Sequence, residues 1–380
     1  MGEGFHLSPK GEEMSKDVFT DMIVQELREK QAWDLDKKVE YSKAKIIEFV
    51  EHCGGIDKTY VSFSGGKDSC VLLHLVRSVY PEAQGVFFNT GIEYPEVVEY
   101  VKGVDNIVWR KPRKSFSQVV QEFGVPAVSK ESANYIYEIR TSNSDKLIDK
   151  RLNYRKAYSL PRKWIHFTDP EFFEPKVSNK CCAYFKKMPS EDYAKETGRH
   201  PFVGTVADES LLRLNSWVKY SCNMYTKDKT QSRPLSIWTE DDIWAYIKKH
   251  NIELCKIYDM GHDRTGCWLC PYGSHLEDRD RGTNKFEMLH DQHPNHYKAL
   301  NKLGIREVLL NMQVPIRNDE VYMQELKEKR LELKQWYQAI KDGIAEDGED
   351  SKYYKYRKYF EPTEKQKKNP NIKSGAKHMY

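Results

Sequence analysis

The chain has 380 residues, enough to bury a full core as one large domain or two. Hydrophobic residues make up 39% and charged residues 31%, the balance of a water-soluble globular enzyme, and no apolar run approaches the roughly 20 residues that span a bilayer. The net charge of +4 does not by itself imply a nucleic-acid partner, the polar N-terminus carries no apolar core of a secretion signal, and eight cysteines in a chain so read as cytoplasmic argue against a disulfide framework.

Residues 17–53 place Val24, Leu27, Val39, Ile46, Ile47 and Val50 at three-to-four spacing, which predicts one helix ended by Gly54-Gly55. The β-rich run 59–63 predicts a strand that enters the glycine loop Ser64-Gly65-Gly66-Lys67-Asp68-Ser69, and residues 69–79 predict the following helix. A second strand at 85–88 ends in Asn89-Thr90-Gly91, a helix starts at Pro95, a third strand covers 106–109, and a helix covers 115–123. Residues 129–178 are less regular, rich in charge and aromatic rings, and read as an inserted, substrate-facing segment. A returning strand is expected at 201–206. A helix is expected at 240–250 with Ile243, Trp244 and Ile247 as its apolar stripe, then a tight loop at 261–273. From residue 285 the chain reads as helical, with a long charged helix at 319–345 and no internal repeat. Strands alternating with helices predict an α/β fold, a parallel sheet with helices on both faces.

The glycine loop lets consecutive amides approach an anion without a Cβ in the way, and the next helix adds its positive end. Lys67 supplies a mobile cation, Asp68 can orient Mg²⁺ or a water, and Ser62, Ser64 and Ser69 can hydrogen-bond to phosphate. The spacing is not that of a Walker A loop, and the plain alternative is a Gly-Gly turn between strand and helix. The six-residue loop resembles the PP-loop of ATP pyrophosphatases, which cleave ATP between its α- and β-phosphates. That resemblance implies adenylyl transfer with ATP and Mg²⁺, with Lys67 and Asp68 in catalytic roles. Asn89, Thr90, Gly91 and Glu93 resemble the asparagine-threonine-glycine segment of the same superfamily, at a second strand end.

Cysteines fall in two pairs, Cys181-Cys182 and Cys267-Trp268-Leu269-Cys270. A C-x-x-C pair alone suits zinc, a cluster or redox chemistry. Adjacent cysteines fit awkwardly around one small tetrahedral metal, whereas a cube of four irons offers each thiolate a corner. A structural zinc is the alternative. Lys180, Lys186, Lys187 and Arg264 would offset the charge of a thiolate-bound cluster set beside the nucleotide, and Cys53, Cys70, Cys222 and Cys255 read as buried structural thiols.

The run Lys180 to Pro189, the segment Gly204 to Ser210 with Arg213, Arg233 to Trp238, and Tyr258 to Cys270 together resemble the phosphoadenosine phosphosulfate (PAPS) reductase family over about residues 40 to 300. The resemblance implies that Cys181, Cys182, Cys267 and Cys270 hold a [4Fe-4S] cluster. It also places Gly204, Glu209 and Arg213 with the nucleotide-binding residues, although Asp208, Glu209 and Arg213 also fit a loop ion pair. Two departures matter: no cysteine follows Cys270, where sulfonucleotide reductases carry a catalytic one, and Val206 stands where many members have arginine. The implied organisation is an N-terminal helical segment at 1–55, a PP-loop PAPS reductase-like domain at 56–275, a helical extension at 276–350 and a tail at 351–380.

That tail has nine Lys/Arg against two Asp/Glu with interleaved tyrosines, which suits phosphates and bases and equally suits a solvated segment. His262 reads equally as a partner of the cysteine loop or as solvent-exposed. His290, His293 and His296 have metal-like spacing, but Pro294 breaks their helix, so a polar helix end is expected. The functional expectation is ATP-dependent, cluster-dependent sulfur transfer, with a cysteine desulfurase as sulfur donor and DNA (phosphorothioation) or RNA (thiolation) as acceptor. The alternatives are a reductase acting on adenylyl sulfate or PAPS, and a non-catalytic iron–sulfur nucleic-acid-binding subunit.

Overall fold

The computed structural model describes residues 6–7, 13–14, 16–153 and 158–346, so the tail at 351–380 lies outside the described residues. The strands of the main sheet are β1 (Thr59–Phe63), β2 (Gly85–Phe88), β3 (Ile107–Arg110), β4 (His200–Val203), β5 (Asn223–Tyr225) and β6 (Thr230–Ser232). The helices are α1 (Lys16–Gln31), α2 (Leu35–Cys53), α3 (Lys67–Arg77), α4 (Pro95–Lys102), α5 (Phe116–Phe123), α6 (Lys130–Thr141), α7 (Asp145–Leu152), the single turn α8 (Lys180–Cys182), α9 (Met188–Thr197), α10 (Leu211–Tyr220), α11 (Glu240–His250), α12 (Ser274–Arg281), α13 (Lys285–Gln292), α14 (Pro294–Lys302), α15 (Ile305–Asn311) and α16 (Glu320–Glu346). They group into two compact units, one drawn from Met1–Arg113 and Phe185–Gly266, the other from Lys114–Tyr184 and Cys267–Tyr380.

The first unit holds the sheet, in the order β3-β2-β1-β4-β6-β5. All neighbours are parallel except the edge pair β5–β6. Successive side chains of a strand point to opposite faces, so Tyr60 and Val61 divide β1 between two layers. On the Tyr60 face the ring meets Tyr193 of α9 at 5.0 Å. On the other face Phe202, in register with Val61, meets Phe49 of α2 at 4.9 Å. Helices therefore cover both faces, as a near-continuous apolar strand such as Thr59–Phe63 requires.

Three expectations are corrected in this unit. The predicted helix 17–53 is two helices, because the Asp34 side chain accepts from the Lys37 amide and starts a new one. The stripe of α11 is Ile243, Tyr246 and Ile247, and Trp244 lies 39% exposed. Strand β4 ends at Val203 rather than 206, since the Thr205 amide turns back to the Val203 carbonyl. The edge strands β5 and β6 carry no strong apolar alternation and went unforeseen.

The second unit is helical. The stretch expected to be irregular contains α6 and α7, N-capped by Ser129 and Ser144, and a 3-10 turn at Arg162–Thr168. The turn buries His166, whose Nδ1 lies 3.2 Å from the Tyr337 hydroxyl of α16. Among the described residues no helix is long and apolar enough to cross a membrane.

Candidate nucleotide site and cysteine centre

Strand order reverses between β1 and β4, which both point their carboxyl ends the same way. In open α/β sheets that switch point is where ligands sit. The glycine loop leaves β1 there, and Gly204 leaves β4. Gly65 has φ +72°, and a Cβ on it would lie 3.1 Å from Val97 and Val101 of α4. At Gly66 a Cβ would come within 2.5 Å of Thr265 Oγ1, and at Gly204 within 3.0 Å of the Asp68 carbonyl. Backbone packs on backbone at Gly204, side chains close in on Gly65 and Gly66, and the positive φ of Gly65 favours glycine as well.

Serines fasten the loop from within. The Ser69 hydroxyl donates to the Gly66 carbonyl at 2.8 Å, and the Ser64 amide donates to Ser69 Oγ at 3.1 Å. Ser64 Oγ and Ser69 Oγ lie 3.1 Å apart. The Lys67 amide, at the start of α3, donates to the Tyr258 hydroxyl at 2.8 Å. Burial pushes that hydroxyl up to about 12, so it stays protonated at neutral pH. Lys67 Nζ lies 3.4 Å from Glu240 Oε1 and 3.6 Å from Asp68 Oδ2. The Arg213 side chain is half-buried and pairs with Glu209. Burial lowers its proton affinity, the nearby Asp68 carboxylate raises it, and Arg264 lowers it. Lys67 and Arg213 thus stand among the carboxylates of Asp68, Glu209 and Glu240, with Arg264 near Arg213, the charge pattern an anion with a metal counter-ion would exploit. Tyr258, Thr265 and Glu240 were not singled out for this site from the sequence, because no spacing rule ties α11 and the loop after it to residues 64–69. Ser62 stands half-buried on β1.

The Asn89–Glu93 segment fastens onto itself. Asn89 Oδ1 accepts from the Gly91 amide at 2.9 Å, and the Glu93 carboxylate takes the Thr90 amide at 3.1 Å and the Thr90 hydroxyl at 2.5 Å. Its contribution to the site is to launch α4, whose valines pack against Gly65.

All four paired cysteines belong to the second unit. Residues 125–128 bring the pairs together. A parallel bridge joins Val125 to Val177, and the Ser178 amide donates to the Val125 carbonyl at 3.0 Å, just before Cys181. The Gly273 amide donates to the Val128 carbonyl at 2.9 Å, just after Cys270. Within the C-x-x-C turn the Cys270 amide donates to the Cys267 carbonyl at 3.1 Å, and buried Trp268 and Leu269 anchor it. A π-helical turn, Ala183–Lys187, follows the adjacent pair. The Cys181 thiol is held far above the ordinary range by its hydrogen bond with Cys182, by burial, and by Cys182, Cys270 and Cys267. Tyr272, missed from sequence, is half-buried and hydrogen-bonded to Cys181.

Four crowded free thiols suit thiolate ligation of an iron–sulfur cluster, whose irons would supply the positive charge that ionised thiols need. Among the described residues no group of three or more His, Cys, Asp or Glu is gathered for a single metal ion. Cys70, Cys222 and Cys255 are buried as expected, while Cys53 is half-exposed. His262 is buried, its ring 4.9 Å from Tyr94 in the first unit. His293 caps the break between α13 and α14, the polar helix end expected.

A model of the phosphoadenosine phosphosulfate reductase domain matches residues 58–150 and 134–272, together more than half of the chain. An uncharacterized protein of Methanocaldococcus jannaschii is 26% identical over 216 residues, 56% of this chain and 35% of its own length. A second from that organism is 23% identical over 64% of this chain and 49% of its length. The chain thus spans about a third to a half of these curated relatives. An adenosine 5′-phosphosulfate reductase of Staphylococcus haemolyticus is 26% identical over 60% of this chain and 75% of that protein. Among solved structures, a PAPS reductase from Candida auris in a phosphate complex aligns at TM-score 0.37 and 14% identity, covering 70% of this chain and 98% of that one. A U34-tRNA thiolase from Methanococcus maripaludis with its [4Fe-4S] cluster aligns at TM-score 0.30 and 14% identity, covering 80% and 84%.

Proposed function

The chain belongs to the phosphoadenosine phosphosulfate reductase domain family, and on that premise we propose that it is a cytoplasmic ATP-dependent sulfurtransferase that splits ATP between the α- and β-phosphates. The observation that carries this reading is the intact glycine loop at the β1–β4 switch point, with Lys67, Asp68 and Arg213 around it. ATP with Mg²⁺ would lie along residues 64–69, with Asp68 toward the metal. An acceptor oxygen attacks the α-phosphorus. The bond from that phosphorus to the bridging oxygen breaks, and pyrophosphate leaves with the electron pair. Lys67, Arg213 and the loop amides carry the growing negative charge. Sulfur arrives as the outer sulfur of a persulfide on a partner of the cysteine desulfurase class. An external dithiol, oxidised to its disulfide, releases it as hydrosulfide, which then replaces AMP, and AMP departs with the acceptor's original oxygen. Cys181, Cys182, Cys267 and Cys270 would hold a [4Fe-4S] cluster, which supplies a sulfur-binding Lewis acid when bound. A nucleic acid, DNA or RNA, is the proposed acceptor.

A second reading, reduction of adenylyl sulfate to sulfite, is favoured by the reductases among the relatives. Anaerobic purification with iron and sulfide analysis, followed by incubation with adenylyl sulfate and a dithiol, separates the two. The sulfur-transfer reading expects about four irons and no sulfite. Sulfite formation that disappears in Lys67→Ala would transfer the site to the reductase.

A further inference from the structure

Among the described residues six non-glycine residues adopt positive φ, and two of them are of types that rarely do: the β-branched Val128 at +63° and the bulky Tyr158 at +65°. Both line one cleft of about 440 Å³ in the second unit, within the size range of ligand sites. Backbone strain of this kind persists where surrounding structure enforces it, often at functional sites. Val128 is also the residue whose carbonyl holds Gly273 beside the C-x-x-C turn, so the cleft shares a wall with the cysteine centre.

Its chemistry is that of a base-binding pocket. Tyr158 presents a ring that is 65% exposed, where a large hydrophobic ring is usually covered. Lys150 Nζ lies 5.5 Å from the centre of that ring, and Lys163 Nζ lies 4.6 Å from that of Trp164. The Trp164 ring stands edge-on to His275 at 5.0 Å. Ser129 and Glu131 also line the cleft with a hydroxyl and a carboxylate. Aromatic faces take any base by stacking, flanking lysines take the phosphates on either side, and hydroxyl and carboxylate groups read a base edge.

We infer that this cleft receives an unstacked nucleobase of a single-stranded nucleic acid, the acceptor of the proposed sulfur transfer. The inference rests on that reading for its chemistry, not for its binding site. The test uses the full chain and ten-nucleotide single strands, uridine-rich RNA and thymidine-rich DNA, each carrying a fluorophore for anisotropy. Tyr158→Ala removes an exposed ring and should weaken binding about tenfold or more, Lys163→Ala should lower the salt dependence, and Tyr158→Phe should restore binding. RNA-only, DNA-only or dual binding each supports the pocket if Tyr158→Ala abolishes the preference for single strands. With 4-thiouridine in the RNA strand and 4-thiothymidine in the DNA strand, photocrosslinks should map to peptides within residues 128–164. Undiminished binding in Tyr158→Ala, crosslinks confined to residues 351–380, or no binding to either strand overturns the inference. ATP binding, measured separately on the same proteins, shows whether the nucleotide reading stands or falls independently.

Discussion

At Gly66 the fit is set by a single atom, since an added Cβ would sit 2.5 Å from Thr265 Oγ1. Gly66→Ala should therefore displace the loop and abolish ATP binding while leaving the far-UV circular dichroism spectrum intact. Tyr258→Phe tests the hydroxyl that takes the Lys67 amide. The orphaned amide should lower stability by about 1–3 kcal/mol in chemical denaturation, and ATP affinity should fall with it. Glu240 Oε1 lies 3.4 Å from Lys67 Nζ and would compete with a bound phosphate for it, so Glu240→Gln should tighten ATP binding several-fold by calorimetry. A weaker complex would make Glu240 a nucleotide contact instead. His166 gives a pH prediction. Burial lowers its proton affinity to about 3, so the unfolded chain binds the extra proton first. Stability from this group is complete above about pH 6.5 and falls by about 1.4 kcal/mol per unit as pH drops toward 3. The wild-type denaturation midpoint should drop between pH 7 and pH 5, and His166→Gln should flatten that dependence.

Elements with local signals were legible and those set by distant packing were not. Strand β2 matched at 85–88, and α11 matched at 240–250 because Thr239 and Asp242 form a capping box. The glycine loop and its strand could be read directly, since three glycine- and serine-specific needs coincide in six residues. The break at Asp34 was hidden because apolar spacing continues through it; only the Lys37 amide bond reveals the cap. Strands β5 and β6 are three residues each and owe their state to pairing with β4, information no local window contains. For the same reason Glu240, Tyr258 and Thr265 were invisible as loop partners, and Tyr272 as a partner of Cys181. By contrast, the two cysteine pairs stand out by adjacency and by C-x-x-C spacing, while their union as one ligand set is what the family resemblance implies.

Across the whole molecule, each centre is assembled inside one unit from two separated stretches of chain. Local pattern cannot express that arrangement, so linear boundaries at 56–275 and 276–350 describe chain order only. The arrangement predicts separable losses: Cys181→Ser with Cys270→Ser should remove the iron and leave ATP affinity within about twofold, as independent sites do. The most direct test of the account is product analysis with ATP labelled at the α-phosphate, using anaerobically purified full chain with candidate single-stranded acceptors and a sulfide source. The account predicts pyrophosphate and labelled AMP in equal amounts, lost in Lys67→Ala. Labelled ADP with inorganic phosphate, or no cleavage of ATP with any acceptor, would contradict it.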